Sequence, residues 1–575
     1  MTTNSPYAAA PWRQWYPAEF TSTDNIAQAA NLPALLTEAA ARWGAQTAFT
    51  TCMPNGMSGR LSFQQVAAEA SAFAVWLRAR LNLSPGSRVA VQLPNCLSYP
   101  VVAFGVLQAG CVLVNINPMY SPREVTQQLN DSGAEVLVTL DLLADKVAQI
   151  IPQTQVRQVV LTQLGVWFPP LVRGILHGVL RYWQRVVPKH TLNAPYLTQV
   201  LAEGHQIQHQ QQIDSSQYWQ QVGRDDLALL QYTGGTTGVA KGAMLSHGNL
   251  LHNLAQVTQF AGGHIRPGQE CILTALPLYH IFAFTVNLLA FYVQGAHNVL
   301  VPNPRPIRNC QRALENFPIS WISGVNTLFN ALLNEEWFVL DPPPHLRVAL
   351  AGGTALQGVV AERWQRLMGL PISEGYGLTE ASPVVSFNRI GEERPNSIGI
   401  PVPNTDIIIL NKQGHPAPLG EPGELAVRGP QVMQGYWQRP EDTLAAMHEG
   451  YLLTGDIACM EASGHLSLVD RKKDLILVSG FNVYPSEVEA VIAQLDAVQE
   501  AAVVGQPDAQ TGESVQAFVQ LRTAGLTKAD VIAHCRAELA AYKVPKTVVF
   551  CADLPRTPVG KVLRRALRQT GDASC

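Results

Sequence analysis

Helical periodicity alternates with short apolar runs along the first part of the chain. Two runs rich in valine, residues 88–92 and 112–115, lie within a region of helical pattern that extends over residues 32–130. The alternation resumes with apolar runs at residues 135–139 and 156–161. Short strands separated by helices are typical of a parallel sheet that helices cover on both faces. We therefore predict an α/β fold with doubly wound subdomains.

The pattern changes after the α/β alternation ends. Residues 400–429 are dense in glycine and proline around two short runs with strand character, residues 406–410 and 424–427. Short strands bounded by turn residues indicate a small β-barrel or hairpin layer. This layer is predicted to complete a large N-terminal domain over residues 1–470.

Residues 474–575 have a compact, mixed α+β pattern. A helix is predicted near residues 487–495, and strands are predicted near residues 501–504 and 515–521. Thr527 and Asp530 have the spacing of a capping box at the start of a further helix. We predict a smaller C-terminal α+β domain.

Two charge-free stretches, residues 89–122 and 271–304, are long enough to be tested as membrane spans. Proline and glycine divide the first into strand, helix and strand. The second contains Pro277, His280 and Asn287 around a nearly continuous apolar helix at residues 281–293. Both are therefore predicted to be buried elements of a large α/β core, and a true membrane span remains the alternative.

Residues 171–187 form a basic amphipathic segment. No acidic residue lies between Asp145 and Glu203, and Arg173, Arg181 and Arg185 share a face of the predicted helix. Such a helix either lies on an anionic membrane surface or packs its apolar face on the protein itself. We keep both interpretations, and the first predicts a peripheral contact with the inner face of the cytoplasmic membrane.

The composition is that of a globular protein of 575 residues, with 47% hydrophobic and 14% charged residues. This length exceeds what one hydrophobic core usually supports, so two or more domains are expected. The formal net charge of −3 gives no argument for nucleic-acid binding. Nine scattered cysteines without a C-x-x-C pair, and an N-terminus without an apolar signal core, predict a cytoplasmic protein.

Residues 232–243 read YTGGTTGVAKGA and follow a predicted buried strand at residues 227–230. The glycines let backbone N–H groups approach an anion, while Thr233, Thr236, Thr237 and Lys241 add hydroxyl donors and a positive charge. The Walker A loop would need Gly-Lys-Ser/Thr and an immediate helix. Here a helix is predicted to begin only after Ser246, so we predict a polyphosphate loop of another kind.

With this loop, several later segments resemble one family, the adenylate-forming acyl-CoA synthetases, and within it the bacterial long-chain fatty acid CoA ligases. They occur in the family's order and extend to the end of the chain. The matching segments are YTGGTTGVAKGA at 232–243, LPLYHIFA at 276–283, AGGT at 351–354, EGYGLTE at 374–380, LTGD at 453–456, DRKKDLILVSGFNVYPSEVE at 470–489 and PRTPVGK at 555–561.

The resemblance implies that ATP and coenzyme A are cosubstrates and that Mg²⁺ is a cofactor. A carboxylate would attack the α-phosphate of ATP to give an acyl-adenylate and pyrophosphate, and coenzyme A would then displace AMP. The implied phosphate contacts are Thr233, Thr236, Thr237, Lys241 and Thr379. Glu380 is implied to hold Mg²⁺. Such donors and charges suit the charge that develops at phosphorus.

Further site residues are implied by the same resemblance. Tyr376 would stack on adenine beside Gly352 and Gly353, Asp456 and Arg471 would hold the ribose, and Lys561 would bridge the carboxylate and the α-phosphate. Residues 471–473, with Lys473, would form a hinge about which the C-terminal domain rotates. In the rotated state Gly480 and Phe481 would line the thiol tunnel, and His280 would stand where the family has an aromatic gate.

The acyl pocket is predicted to be lined by Phe284 with its helix and by Val325 with its flanks. These residues are apolar and offer no cation for a second carboxylate of the substrate. A long-chain fatty acid is therefore the predicted acyl substrate. The alternatives are a ligase for medium-chain or aryl acids and an acyl-AMP ligase that loads a carrier protein. The sequence leaves open whether the protein forms an oligomer.

Overall fold

In the computed structural model of the chain, residues 6–16, 28–233, 240–479, 481–508, 510–557 and 561–570 are described. Within these ranges, the first sheet has nine strands. Its central strands are parallel, and antiparallel strands extend it at both edges. In spatial order the strands are Ile400–Pro401, Val384–Phe387, Ile372–Gly377, Val348–Ala351, Trp321–Gly324, Cys271–Thr274, His297–Leu300, Thr47–Cys52 and Ser58–Ser62.

The second sheet has seven strands within the described ranges, and it is also mainly parallel. Its antiparallel edge carries the strands on either side of the predicted phosphate loop. In spatial order the strands are Gly435–Tyr436, Lys241–Ser246, Leu227–Thr233, Val112–Asn115, Arg88–Gln92, Val136–Leu140 and Gln158–Thr162. The strands predicted at residues 88–92, 112–115, 135–139, 156–161 and 227–230 are confirmed.

Helices connect these strands and pack between and around the two sheets. Apolar residues from both sheets and from the helices between them form one large buried cluster. The longer helical segments up to residue 445 are Leu32–Trp43, Phe63–Val75, Ser98–Gln108, Pro122–Ser132, Ala144–Ile150, Pro170–Gly178, Leu197–Gln211, His247–Ala261, Ala283–Ala290, Gln311–Asn316, Asn326–Leu333, Glu336–Leu340, Gly358–Met368 and Pro440–Ala445. This layered arrangement confirms the predicted doubly wound α/β architecture.

The predicted β layer is an antiparallel sheet with its own apolar cluster. Its strands are Asp406–Leu410, Gly423–Arg428, Met447–His448, Tyr451–Met460 and Leu466–Arg471. The last two pair with each other and bring Asp456 opposite Arg471. This pairing places both residues at the point where the chain leaves the layer for the C-terminal unit.

The C-terminal unit is a mixed sheet with flanking helices and a separate core. Its strands are Ile476–Val478, Phe481–Val483, Val498–Asp508, Gly512–Leu521 and Thr547–Cys551. Its helices are Pro485–Ile492, Lys528–Glu538 and Arg564–Thr570. The predicted α+β character is confirmed, and all strands of this sheet come from residues beyond 474.

Two predicted helix starts are confirmed in detail. Ser246 caps the helix His247–Ala261, because its side chain accepts the N–H of Asn249. Thr527 caps the helix Lys528–Glu538 through a capping box with Asp530, as its spacing predicts. Side-chain caps satisfy backbone N–H groups that have no partner within the helix.

The apolar stretch at residues 281–293 is helical and buried in the core. Its central part, Ala283–Ala290, is a π-helix, which is a conformation often found next to functional sites. None of the helices in the part of the chain that the structure describes has the length and apolar character of a membrane span.

Gly399 provides a test of how closely the two strands at one edge of the first sheet, Val384–Phe387 and Ile400–Pro401, approach each other. Its φ is +81°, and a Cβ there would lie 2.0 Å from the backbone carbonyl carbon of Phe387. Gly391 has φ +87° but open space around its Cβ position. Gly391→Ala should cost about 1–2 kcal/mol of folding free energy from backbone strain alone. Gly399→Ala should carry the same strain and cost ~3 kcal/mol or more of folding free energy beyond it, because the backbone of Phe387 cannot move aside as a side chain can.

Thermal unfolding of both variants, followed by fluorescence, measures the difference. We expect Gly399→Ala to have a clearly lower Tm than Gly391→Ala, or to give no soluble protein. Equal Tm values for the two variants would contradict the close contact at residue 399.

Candidate active site

A largely apolar cavity opens beside the carboxyl ends of the central strands of the first sheet. This edge is where ligands bind in open α/β sheets. Aromatic and aliphatic side chains form most of the wall, and glycines and a few polar groups form one end. The lining residues are Val257, Phe260, Ala261, Ile265, His280, Ile281, Phe282, Val286, Phe291, Trp321, Leu350, Ala351, Gly352, Gly353, Gly375, Tyr376, Gly377, Leu378, Thr379, Pro383, Val384, Phe387, Ile390, Val402 and Lys561.

Gly352 and Gly353 follow the strand Val348–Ala351 and form part of the polar end. A Cβ on Gly352 would lie 3.1 Å from the ring of Phe282, and Gly353 has φ +79°. The positive φ favours glycine at position 353, and a side chain at position 352 would press on Phe282, so backbone rather than side chain lies at the cavity surface. The turn that follows is held by Glu374, whose Oε1 accepts the N–H of Leu356 at 3.0 Å. Burial raises the pKa of Glu374 to about 7.

Tyr376, Asp456 and Arg471 form a connected group at the same end. The phenol of Tyr376 donates to Asp456 Oδ2 at 2.6 Å, and Arg471 Nε lies 3.4 Å from Asp456 Oδ1. Burial, with Asp456 close by, raises the pKa of Tyr376 well above its usual value, so the phenol remains a donor. The structure thus brings together the three residues that the sequence assigned to the adenosine.

Lys561 enters the cavity from the C-terminal unit. Its Cε lies 3.9 Å from the position that a Cβ on Gly353 would take. Burial, reinforced by the charge of Arg471, lowers the pKa of Lys561 to about 8. His280 lines the same cavity, and burial together with Lys561 lowers its pKa to about 4. His280 is therefore neutral at physiological pH, and Lys561 carries the positive charge.

Arg564, three residues after Lys561, anchors this segment. Its guanidinium donates to both carboxylate oxygens of Glu489 at 2.8 Å and lies 3.3 Å from Asp474 Oδ2. Arg568 adds a contact to Asp474 Oδ1 at 3.1 Å. The segment that carries Lys561 is thus tied to the residues that follow the predicted hinge. Sequence reasoning missed Arg564, because its partners lie far away along the chain.

Thr233 and Lys241 are cross-strand neighbours at the base of the predicted phosphate loop. The ammonium of Lys241 donates to Asp442 Oδ1 at 2.6 Å. Thr236 and Thr237 lie outside the described residues. Lys241 is therefore already oriented by an acidic partner that the sequence analysis did not identify.

Thr379 and Glu380 form the turn Thr379–Ala381 after the strand that carries Tyr376. Thr379 lines the cavity, and Glu380 Oε1 accepts the phenol of Tyr436 at 2.7 Å. Mg²⁺ that arrives with a nucleotide is usually held by one or two carboxylates together with phosphate oxygens. The carboxylate of Glu380 beside the hydroxyl of Thr379 fits such an ion.

The predicted pocket residues Phe284 and Val325 are not among the residues that line the cavity. Phe284 is fully buried in the core, while Phe282 and Val286 of the same helix line the cavity. Phe284 is two positions along the chain from both Phe282 and Val286, and side chains two positions apart point to different faces of a helix. Val325 is also in the core cluster, next to Gly353.

The predicted hinge residue Lys473 is partly buried, and burial with the charge of Arg471 lowers its pKa. Its neighbour Lys472 donates to Glu424 of the β layer at 2.7 Å. Phe481 is exposed in this structure and packs against Tyr542 with ring centroids 5.0 Å apart. Gly480 lies outside the described residues. The hinge and the tunnel therefore stay predictions.

A cavity lined by a buried lysine, by glycine backbone and by a tyrosine that donates to an aspartate suits a nucleotide-dependent enzyme. The chain belongs to the AMP-binding enzyme family, whose model matches residues 36–437, and the model of the family's C-terminal domain matches residues 487–561.

The chain is also similar to individual proteins with known names. The chain is 44% identical over 559 residues to the long-chain-fatty-acid–CoA ligase of Escherichia coli O6:H1, with 97% of both chains covered. It is 45% identical over 514 residues to the ligase of the same name from Haemophilus influenzae, covering 88% of this chain and 90% of the relative. Among solved structures, ATP-bound MatB from Rhodopseudomonas palustris is similar, with a TM-score of 0.81, 26% identity and coverage of 94% and 99%.

The lowered pKa of Lys561 generates a pH prediction. Its ammonium is charged below about pH 8 and loses the proton as the pH rises through that value. Because kcat/KM reports the free enzyme, kcat/KM for ATP should fall with an apparent pKa near 8. The measurement is the rate of adenylate formation between pH 6 and pH 10.

Lys561→Arg is the control for this profile, because a guanidinium does not titrate in this range. The activity that remains in Lys561→Arg should show no descending limb near pH 8. An unchanged limb in the arginine variant would assign the titration to another group.

Proposed function

We propose that this protein ligates a long-chain fatty acid to coenzyme A through an acyl-adenylate, with release of AMP and pyrophosphate. The observation that carries the proposal is the cavity. Among the described residues that line it, only Lys561 is charged, and Lys561 lies beside Gly353. An alkyl chain fits the apolar wall, and its carboxylate would then face the ammonium.

In the first half-reaction, a carboxylate oxygen forms a bond to the α-phosphorus of ATP, and the bond to pyrophosphate breaks. Lys561 holds the attacking carboxylate and the α-phosphate together, which offsets their mutual repulsion. Thr233, Thr236, Thr237 and Lys241 hold the departing phosphates. Asp456, Arg471 and Tyr376 hold the nucleoside.

Thr379 contacts phosphate, and Glu380 would hold Mg²⁺. The ion supplies positive charge to the phosphate oxygens when it is bound.

In the second half-reaction, the thiol sulfur of coenzyme A bonds to the acyl carbon, the bond to AMP breaks and the thiol proton is lost. Lys561 lines the cavity beside Gly353 in the present arrangement. Rotation of the C-terminal domain, residues 474–575, about residues 471–473 with Lys473 would withdraw it and bring Gly480 and Phe481 to the site. His280 would then separate the acyl cavity from the thiol entrance. The exposure of Phe481 supports a face that is covered in a second state.

Lys561→Ala should reduce adenylate formation by about 10²- to 10³-fold, as removal of one preorganised charge does. Thioester formation from supplied palmitoyl-AMP should remain close to that of the parent enzyme, because Lys561 leaves the site for that step. Rapid-quench measurement of AMP and palmitoyl-CoA in separate half-reactions tests this. Equal loss in both half-reactions would contradict the rotation.

The substrate class is tested with palmitate, octanoate and coumarate as acids. We expect the highest kcat/KM for palmitate, because each buried methylene contributes about 0.8 kcal/mol. Failure of every fatty acid to give an acyl-CoA would reject the proposed function. A preference for octanoate or coumarate would instead support the medium-chain or aryl alternative, and adenylate without thioester would support transfer to a carrier protein.

We also propose a peripheral contact with anionic membranes through residues 171–187. The helix Pro170–Gly178 and the π-helix Val179–Trp183 that continues it leave Leu171 and Trp183 78% and 86% exposed, whereas Leu176 is buried. Exposed apolar side chains beside Arg173 and Arg181 match the interface of a bilayer with anionic headgroups. A fatty acid substrate dissolved in the inner leaflet of the cytoplasmic membrane would then lie close to the enzyme.

Leu171→Ser should weaken binding to phosphatidylglycerol vesicles by about 10- to 150-fold, because a leucine that enters the bilayer contributes roughly 1.5–3 kcal/mol. Leu340→Ser is the matched control, since Leu340 is 76% exposed elsewhere on the surface. Vesicle co-sedimentation compares the two variants. Unchanged binding by Leu171→Ser, or equal weakening by Leu340→Ser, would reject this contact.

A further inference from the structure

Tyr436 lies between the two charged groups assigned to the phosphates and the metal. It belongs to the short strand Gly435–Tyr436, which pairs with the strand Lys241–Ser246 at the edge of the second sheet. Its position opposite Ala243 is fixed by this pairing and by the hydrogen bond from Trp437 N to the carbonyl of Gly242 at 2.8 Å. The backbone of Tyr436 is therefore attached to the base of the phosphate loop.

The phenol of Tyr436 reaches the other group. It donates to Glu380 Oε1 at 2.7 Å, while the N–H of Met433 donates to the carbonyl of Glu380 at 2.7 Å. A phenol is protonated at physiological pH, whereas a carboxylate only accepts, so Tyr436 is the donor in this hydrogen bond. One carboxylate oxygen of Glu380 is thus held by protein.

The ring of Tyr436 contacts the lysine side of the site. Lys241 Nζ lies 5.2 Å from the ring centroid and donates to Asp442 Oδ1 at 2.6 Å. Asp442 belongs to the helix Pro440–Ala445, and the N–H of Tyr436 donates to Thr443 of that helix at 2.8 Å. One short segment, residues 433–443, therefore contacts both Lys241 and Glu380.

We propose that Tyr436 is a positioning residue for Mg²⁺–nucleotide binding: its hydroxyl fixes the carboxylate of Glu380 relative to Lys241. This inference rests on the proposed adenylation function and adds to it a residue that contacts no substrate. A ligating carboxylate that is held by a second hydrogen bond loses less conformational freedom when the ion binds. Because the ring of Tyr436 also contacts Lys241, the carboxylate of Glu380 and the ammonium of Lys241 keep a fixed position relative to each other.

The test is Tyr436→Phe, which removes the hydroxyl and keeps the ring beneath Lys241. Binding of α,β-methylene-ATP, which cannot release pyrophosphate, is followed by calorimetry at a series of Mg²⁺ concentrations without fatty acid or coenzyme A. The Mg²⁺ concentration for half-maximal binding should rise about 10- to 100-fold, as for other partners that orient a metal ligand. Binding of the analogue without Mg²⁺ should change less than about twofold, because the ring and Lys241 remain.

A second experiment measures the effect of Tyr436→Phe in a Glu380→Gln variant. In that background Tyr436→Phe should have almost no further effect on the Mg²⁺ requirement, because the phenol acts through the carboxylate. Tyr7→Phe is the control for general loss of a tyrosine hydrogen bond, since Tyr7 donates to the carbonyl of Ala417 in the β layer. Its Mg²⁺ requirement should match that of the parent enzyme.

The inference is overturned if Tyr436→Phe has the Mg²⁺ requirement of the parent enzyme, or if its effect is equally large in the Glu380→Gln background. These outcomes are independent of the acyl substrate. A parent enzyme that binds the analogue with Mg²⁺ but forms no acyl-CoA would reject the proposed function and leave the role of Tyr436 standing.

Discussion

The buried ammonium of Lys561 at the end of an apolar cavity is the interaction on which the rest of the site depends. A cation leaves water at a cost in free energy unless other groups compensate, and here burial lowers its pKa to about 8. Arg564 holds the segment in place through Glu489 and Asp474, both of the C-terminal unit. The position of the charge is therefore set by contacts within the C-terminal unit.

The phosphate side of the site depends on a different kind of support. Lys241 lies in a strand of the second sheet and Glu380 in a turn between two strands of the first, and residues 433–443 connect them through Asp442 and Tyr436. A substrate with several negative charges is bound best by cations and donors that are already fixed in place, because no reorganisation is then needed. The acidic partner of Lys241 also compensates its charge before a nucleotide arrives.

Local patterns predicted much of this structure. The cap at Ser246, the capping box of Thr527 and the strands beside the phosphate loop depend on a few neighbouring residues, so the sequence reveals them. The lining of the cavity was harder, because the helix around Phe284 is mostly apolar and its polar residues Thr285 and Asn287 are also buried, so no exposed polar face orients it. Tyr436 and Arg564 act through partners far away in sequence, and no local pattern identifies such contacts.

Exchange of radiolabelled pyrophosphate into ATP tests the central claim most directly, because it reports reversible adenylate formation in this cavity. With palmitate and Mg²⁺ present and coenzyme A absent, label should enter ATP at a rate that saturates with palmitate. Without an acid, no label should enter. Exchange that needs coenzyme A, or that proceeds equally well without any acid, would contradict an acyl-adenylate formed by this protein.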